Sequence, residues 1–310
     1  MHKILRDILA FLSSRRDFAP VDTTSDPWGY PISLDFTLDQ EELYYAPKDA
    51  EGIPVRRYRS VGLQYNPTRV AAYGLAHWNR FRQTGEEDSG QQFTKIADWF
   101  ARVDNGVWAY HFDWNDLKAP WVSCMAQGEG ISVLARAYIL TGNQRYLDLA
   151  RMAVTPLERL ISDGGVQSTL DTGDVFLEEY PSESLAHVLN GCLYAVIGIL
   201  ELRRLLEIPA LDNLIKVVHT TLERNIHRWD VGYWTAYDLV NEKGVGPRNI
   251  ATATYHSLHI SQIIFVSRAL NSIPLQKIAT CWLADFENPV FRIRALLGKI
   301  RYRLYDLPQR

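Results

Sequence analysis

Cysteine and net charge are what this chain has least of. Its three cysteines, Cys124, Cys192 and Cys281, lie far apart, each inside an apolar helical pattern. That spacing forms neither a Cys-x-x-Cys metal pattern nor a disulfide framework, and it suits a reducing compartment. A formal charge of −3 gives no global basic field, so nucleic acid is not an expected partner. No apolar run is long and charge-free enough for a signal peptide or a membrane span. A Walker loop, a G-x-S-x-G elbow, a G-x-G-x-x-G turn after a strand and H-E-x-x-H are all missing. Nucleotide, hydrolase-elbow, dinucleotide and zinc-protease readings fall away with them. His256 and His259 share one helix face but have no carboxylate at ligand spacing, so no metal and no cofactor is expected.

What is present is an average globular composition rich in aromatics. The 310 residues are 47% hydrophobic and 22% charged, with 9 Trp and 16 Tyr. That length buries a substantial core in one large domain or two ordinary ones. Aromatic planes suit sugar rings, whose C–H faces stack on them, and they equally fill helical cores.

Residues 1–20 read as a short amphipathic helix. It is expected to dock on its own domain, with an anionic membrane surface as the alternative for Lys3, Arg6, Arg15 and Arg16. Residues 20–67 have no helical period, and alternations at 32–36 and 55–59 suggest strands, as does 108–114. Beyond that, one unit recurs: an apolar helix, a second helix, then a β-like excursion. First helices are expected near 66–83, 123–140, 187–207 and 255–270, and second helices near 91–103, 144–161, 209–227 and 274–286. Residues 188–200 are almost uninterrupted hydrophobe or glycine, as an inner ring surrounded by an outer one requires. The expected fold is mainly α, an incomplete α/α toroid of about eight helices. β-Hairpins decorate its rim, and a small β-rich N-terminal subregion packs alongside. The expected divisions are 1–64, 65–290 and a basic amphipathic helix at 291–310.

In such a toroid the β excursions and the starts of the first helices gather at one mouth. Tyr180 in E-E-Y-P, Tyr237 in Y-D-L and Tyr255 in T-Y-H-S-L-H become candidates there, with Glu178, Glu179, Asp238, His256 and His259 beside them. Carboxylates and phenols in an aromatic-lined cavity suit glycoside hydrolysis, lyase cleavage, or proton abstraction next to a sugar carboxylate.

The phrases W-V-S-C-M-A-Q-G, E-E-Y-P, V-L-N-G-C-L-Y-A-V-I-G, Y-D-L and Y-H-S-L-H-I-S-Q follow one another over residues 121–284, with a weaker echo over 58–81. In this order and spacing they resemble the D-glucuronyl C5-epimerase family. The resemblance implies a β-rich portion followed by an α/α barrel. It also implies inversion of glucuronate to iduronate within a heparosan-type polysaccharide. Carried over by motif, Glu179 and Tyr255 are the acid/base pair, and Tyr180 and Tyr237 are neighbouring donors. Glu178, Gln127, Asn190, Arg248, His256, His259 and Trp121 are expected to contact substrate. The chain departs from the family's Y-D-L-R at Val240. Arg248, His256 or a strand-borne arginine near the N-terminus is the expected replacement for meeting the uronate carboxylate. A uronic-acid lyase or glycoside hydrolase is the alternative activity. A cytoplasmic enzyme is expected, with contact to the inner face of a membrane or to a glycan-synthesis partner, and a homodimer, as candidate associations.

Overall fold

A computed structural model describes residues 2–12, 16–244 and 246–306; side chains are described from Asp7 to Tyr305 within those ranges. Lys3, Arg6 and Arg15, assigned above to a basic helix face, lie outside the described side chains.

Among the described residues the N-terminal part holds three helices, α1 (His2–Leu12), α2 (Asp35–Leu38) and α3 (Glu41–Tyr45), and one antiparallel hairpin, β1 (Arg56–Tyr58) with β2 (Gly62–Gln64). The extended reading of 32–36 is corrected: Phe36 lies within α2, and the strand-like character there is a single bridge from Ile32 to Pro20. The helical pairs that follow are α4 (Pro67–Thr84) with α5 (Glu87–Phe100), and α6 (Cys124–Thr141) with α7 (Gln144–Met152). A second hairpin, β3 (Gln167–Thr169) with β4 (Val175–Leu177), leads into α8 (Leu189–Arg203) and α9 (Pro209–Asn225). The chain ends in α10 (Ala253–Ala269), α11 (Ile273–Glu287) and α12 (Pro289–Asp306).

Helices α4, α6, α8 and α10 pack side by side in that order, and α5, α7, α9 and α11 each back the helix before them. This is an incomplete α/α toroid of eight helices. The inner helices earn their place by composition: every residue of α8 from Leu189 to Leu202 is buried, whereas α9 buries only one stripe. Glycine sets the spacing of the two central ones. A Cβ at Gly198 would lie 2.2 Å from the Gly128 carbonyl oxygen, so α6 and α8 touch backbone to backbone. Arg136 on α6 and Glu201 on α8 form a buried two-pronged ion pair, and Arg136 also donates to the Gly29 carbonyl at 3.1 Å.

On the remaining side the N-terminal segment bridges α10 and α4. Ser261 Oγ donates to the Phe18 carbonyl at 3.1 Å, and Asn79 Oδ1 accepts the Tyr30 N–H at 2.7 Å. The second helix expected to reach 161 stops at Met152. Pro156 has no N–H to continue the ladder, and the chain proceeds as single 3₁₀ turns. Residues 108–114 make two isolated bridges, Tyr110 to Trp121 and Trp114 to Leu117, instead of a paired strand.

Candidate active site

The four inner helices all begin at one mouth of the toroid. A cavity of about 280 Å³ opens there, lined from α4 by Asn66 and Thr68, from α6 by Ser123 and Met125, from α8 by Asn190, and from α10 by Tyr255. Four helix N-termini facing one space present positive dipole ends, a setting that favours an anion. The wall is aromatic: Tyr110 stacks on Trp121 at 4.0 Å, and Tyr180 lies 6.1 Å from Trp121. Tyr58, held by a 2.8 Å hydrogen bond from Asn66, completes it with Phe112 and Trp114.

Glu179 follows the β3–β4 hairpin and turns its side chain onto the first turn of α8. Gly191 makes room for it, since a Cβ there would lie 2.5 Å from the Glu179 Cβ. Asn190 Nδ2 donates to Glu179 Oε2 at 3.4 Å, and Gln262 fixes Asn190 by donating to its carbonyl at 3.0 Å. Glu179 is 8% exposed. Burial pushes its carboxyl up to about 7; hydrogen bonds from Tyr180 and Asn190 pull it back, and the charge of Glu178 adds to the rise. A carboxyl poised there serves as base or acid near neutrality.

Tyr255 sits in the first turn of α10, where the N-cap Thr252 accepts its N–H at 3.2 Å; it is 38% exposed and is among the residues lining the cavity. Tyr237 stands against it at 4.9 Å between ring centroids, edge to face, and its backbone N–H donates to the Asn249 carbonyl at 2.7 Å. Burial, with the nearby charge of Glu179, drives the Tyr180 and Tyr237 phenols well above their ordinary range, so both stay protonated.

Glu179, Tyr180, Asn190, Trp121 and Tyr255 therefore meet at one cavity, with Tyr237 behind Tyr255. Five expected contacts are placed elsewhere. Glu178 is fully buried and faces away, accepting from Ser168 Oγ at 2.5 Å and the His187 N–H at 3.2 Å, with His187 Nδ1 at 2.6 Å. This grip holds His187 at φ 49 at the approach to α8. Gln127 spends its amide on the Trp108 N–H and the Gly106 and Ala153 carbonyls. His256 and His259 are fully buried, both Nδ1 atoms 2.9 Å from Thr235 Oγ1, and burial depresses both imidazoles, His259 to about 3. Neutral rings behind the wall are packing groups. Arg248 donates to the Arg228 carbonyl at 2.6 Å and is not among the lining residues.

The strand-borne arginine is present: Arg56 on β1 is the basic side chain among the described lining residues. Asn66, Thr68, Tyr110 and Ser123 were not singled out from sequence, although each lies at or near the start of an inner helix or in the segment leading to one. Glu129 on α6 is a further buried carboxyl that no sequence motif marks. Its Oε2 has no hydrogen-bond partner among the described residues, and burial with the charge of Glu179 pushes it well above its ordinary range. Among the described residues no group of three or more His, Cys, Asp or Glu could hold a metal ion.

A sequence model of one family, described as D-glucuronyl C5-epimerase C-terminus, matches residues 102–284, more than half of the chain. The chain is 30% identical over 218 residues to D-glucuronyl C5-epimerase of Caenorhabditis elegans, covering 64% of this chain and 35% of that protein. It is 24% identical over 165 residues to an uncharacterised protein of Methanocaldococcus jannaschii, covering 52% of this chain and 51% of that one. It thus spans about a third to a half of these relatives. Cellobiose 2-epimerase from Spirochaeta thermophila superimposes with a TM-score of 0.48 at 15% identity, over 76% of this chain and 64% of that one.

Proposed function

The chain belongs to the D-glucuronyl C5-epimerase family, and from that premise we propose that it inverts C5 of D-glucuronate within a uronic-acid polysaccharide, giving L-iduronate. The observation that carries this reading is a buried carboxyl tuned to about 7 and an accessible phenol opening on one cavity of sugar size.

The C5 hydrogen lies α to the uronate carboxylate, so its removal leaves a dianionic, enolate-like intermediate. Inversion needs one group to take the proton from one face and another to return a proton to the opposite face. Glu179 is ionised in a useful fraction near neutral pH and, being desolvated, is a stronger base than an exposed carboxylate. It takes the C5 proton of glucuronate. A phenol is a better proton donor than base near neutrality, and Tyr255 delivers the proton on the other side. For iduronate the two exchange roles. The intermediate's charge is met by Arg56, by the protonated hydroxyl of Tyr180, and by the positive ends of the four helices, with Tyr237 supporting Tyr255 from behind. Tyr110, Trp121 and Trp114 supply faces for the ring that reacts and its neighbours.

Incubation with heparosan-type and other glucuronans in deuterated water tests the reading. Deuterium at C5 in chains of unchanged length, with iduronate appearing, is expected. Unsaturated chain ends instead assign a lyase, and no change in any polymer refutes the proposal.

A further inference from the structure

Helix α12 carries apolar side chains on both its faces. Its inward face carries Ala295 and Lys299, both buried, with Arg292 donating to the Phe11 carbonyl at 2.6 Å and Arg303 paired with Asp7 of α1. Its outward face carries Val290, Ile293, Leu297, Leu304 and Tyr305, each 42–67% exposed. At 100° per residue these side chains and the exposed Arg294 and Arg301 fall within an arc of about 120°. A surface helix normally turns such a stripe toward the core. Here Phe291, Ala295 and Leu296 are turned inward beside the polar contacts, and a second apolar stripe faces out. α1, packed beside it, leaves Leu9 and Leu12 exposed as well.

We propose that α12 lies in the headgroup plane of an anionic phospholipid bilayer, with its apolar stripe entering the acyl boundary and Arg294 and Arg301 on lipid phosphates. Charge selects this occupant. Of the five basic residues of the helix, Arg294 and Arg301 stand on the outward stripe with no acidic residue among them, on a chain whose net charge is −3. A negative surface attracts that segment and repels the rest, which orients the molecule. A second copy of the chain fits worse. Two-fold pairing of the stripe would bring Arg294 and Arg301 of both copies into one interface, and the stripe itself carries no carboxylate for them. No described helix is long and apolar enough to cross a membrane, so the contact is in-plane.

The test is co-sedimentation of the full chain with vesicles of phosphatidylcholine alone and of phosphatidylcholine mixed with phosphatidylglycerol. Retention is expected on the anionic vesicles, weakened about fivefold by Arg294→Gln and again by Arg301→Gln. Retention should be lost in the double variant Ile293→Ser/Leu297→Ser. All four side chains are exposed, so circular dichroism should match wild type. Four results overturn the proposal: no retention on anionic vesicles, equal retention on neutral ones, retention indifferent to the substitutions, or a dimer in solution that Leu297→Asp dissolves while vesicles are ignored.

Discussion

Replacing Glu179 with glutamine removes a charge from a buried position while keeping its shape. The carboxyl moves from 4.5 to about 7 on folding because burial penalises the ionised form. At about 1.4 kcal/mol per tenfold change in equilibrium constant, this is roughly 3 kcal/mol held against the folded state once both states are ionised. The folded protein binds this proton more tightly than the unfolded chain. The stabilising contribution is therefore complete below the unfolded value and is lost as pH rises through about 7. Between about pH 5 and pH 8 the wild type should lose roughly 2–3 kcal/mol that Glu179→Gln keeps. Glutamine fits the site: Tyr180 can still donate to its oxygen, and the unpartnered Asn190 Oδ1 can accept from its nitrogen. Urea unfolding of both proteins at the two pH values measures the difference. The variant should gain on wild type with rising pH while losing C5 exchange. Parallel pH dependence in the two proteins would refute the assignment of a desolvated, titrating carboxyl.

Gly191→Ala forces Glu179 aside, because the new Cβ meets its Oε2 at 2.6 Å. C5 exchange should fall on the order of 100-fold with native circular dichroism retained, as a small misplacement of a reacting group allows; an unimpaired rate would show that Glu179's position is not critical. Arg56→Gln removes the cationic side chain of the lining. KM for the polymer should rise by about tenfold, the lower end for a charge-assisted hydrogen bond, and the rise should be smaller at high salt.

The toroid was legible because its signals are periodic. The nearly uniformly apolar α6, α8 and α10 alternate with striped neighbours such as α7 and α9, and Gly85 and Gly142 end two first helices at φ 72 and 70. The mouth was legible for the same reason, since first-helix starts must share a side. Which polar residues point into it was not. Gln127 and Asn190 occupy comparable places in successive repeats, yet one amide closes loops around Trp108 and the other faces Glu179. Likewise Glu178 and Glu179 are neighbours, and the β4 exit sends them to opposite sides. Such choices depend on which backbone groups a loop leaves unsatisfied, and composition does not record that. Arg56 was anticipated only as an unnamed strand arginine, because its strand has three residues and no period to locate it.

The central claim is that two groups act on opposite faces of one carbon. It is tested most directly by following C5–H wash-out and inversion from both directions, with glucuronate-rich and iduronate-rich chains, for Glu179→Gln and Tyr255→Phe. Both variants should lose inversion in both directions, Glu179→Gln should also lose wash-out from glucuronate, and Tyr255→Phe should lose wash-out from iduronate. Inversion at the wild-type rate in either variant would contradict the account.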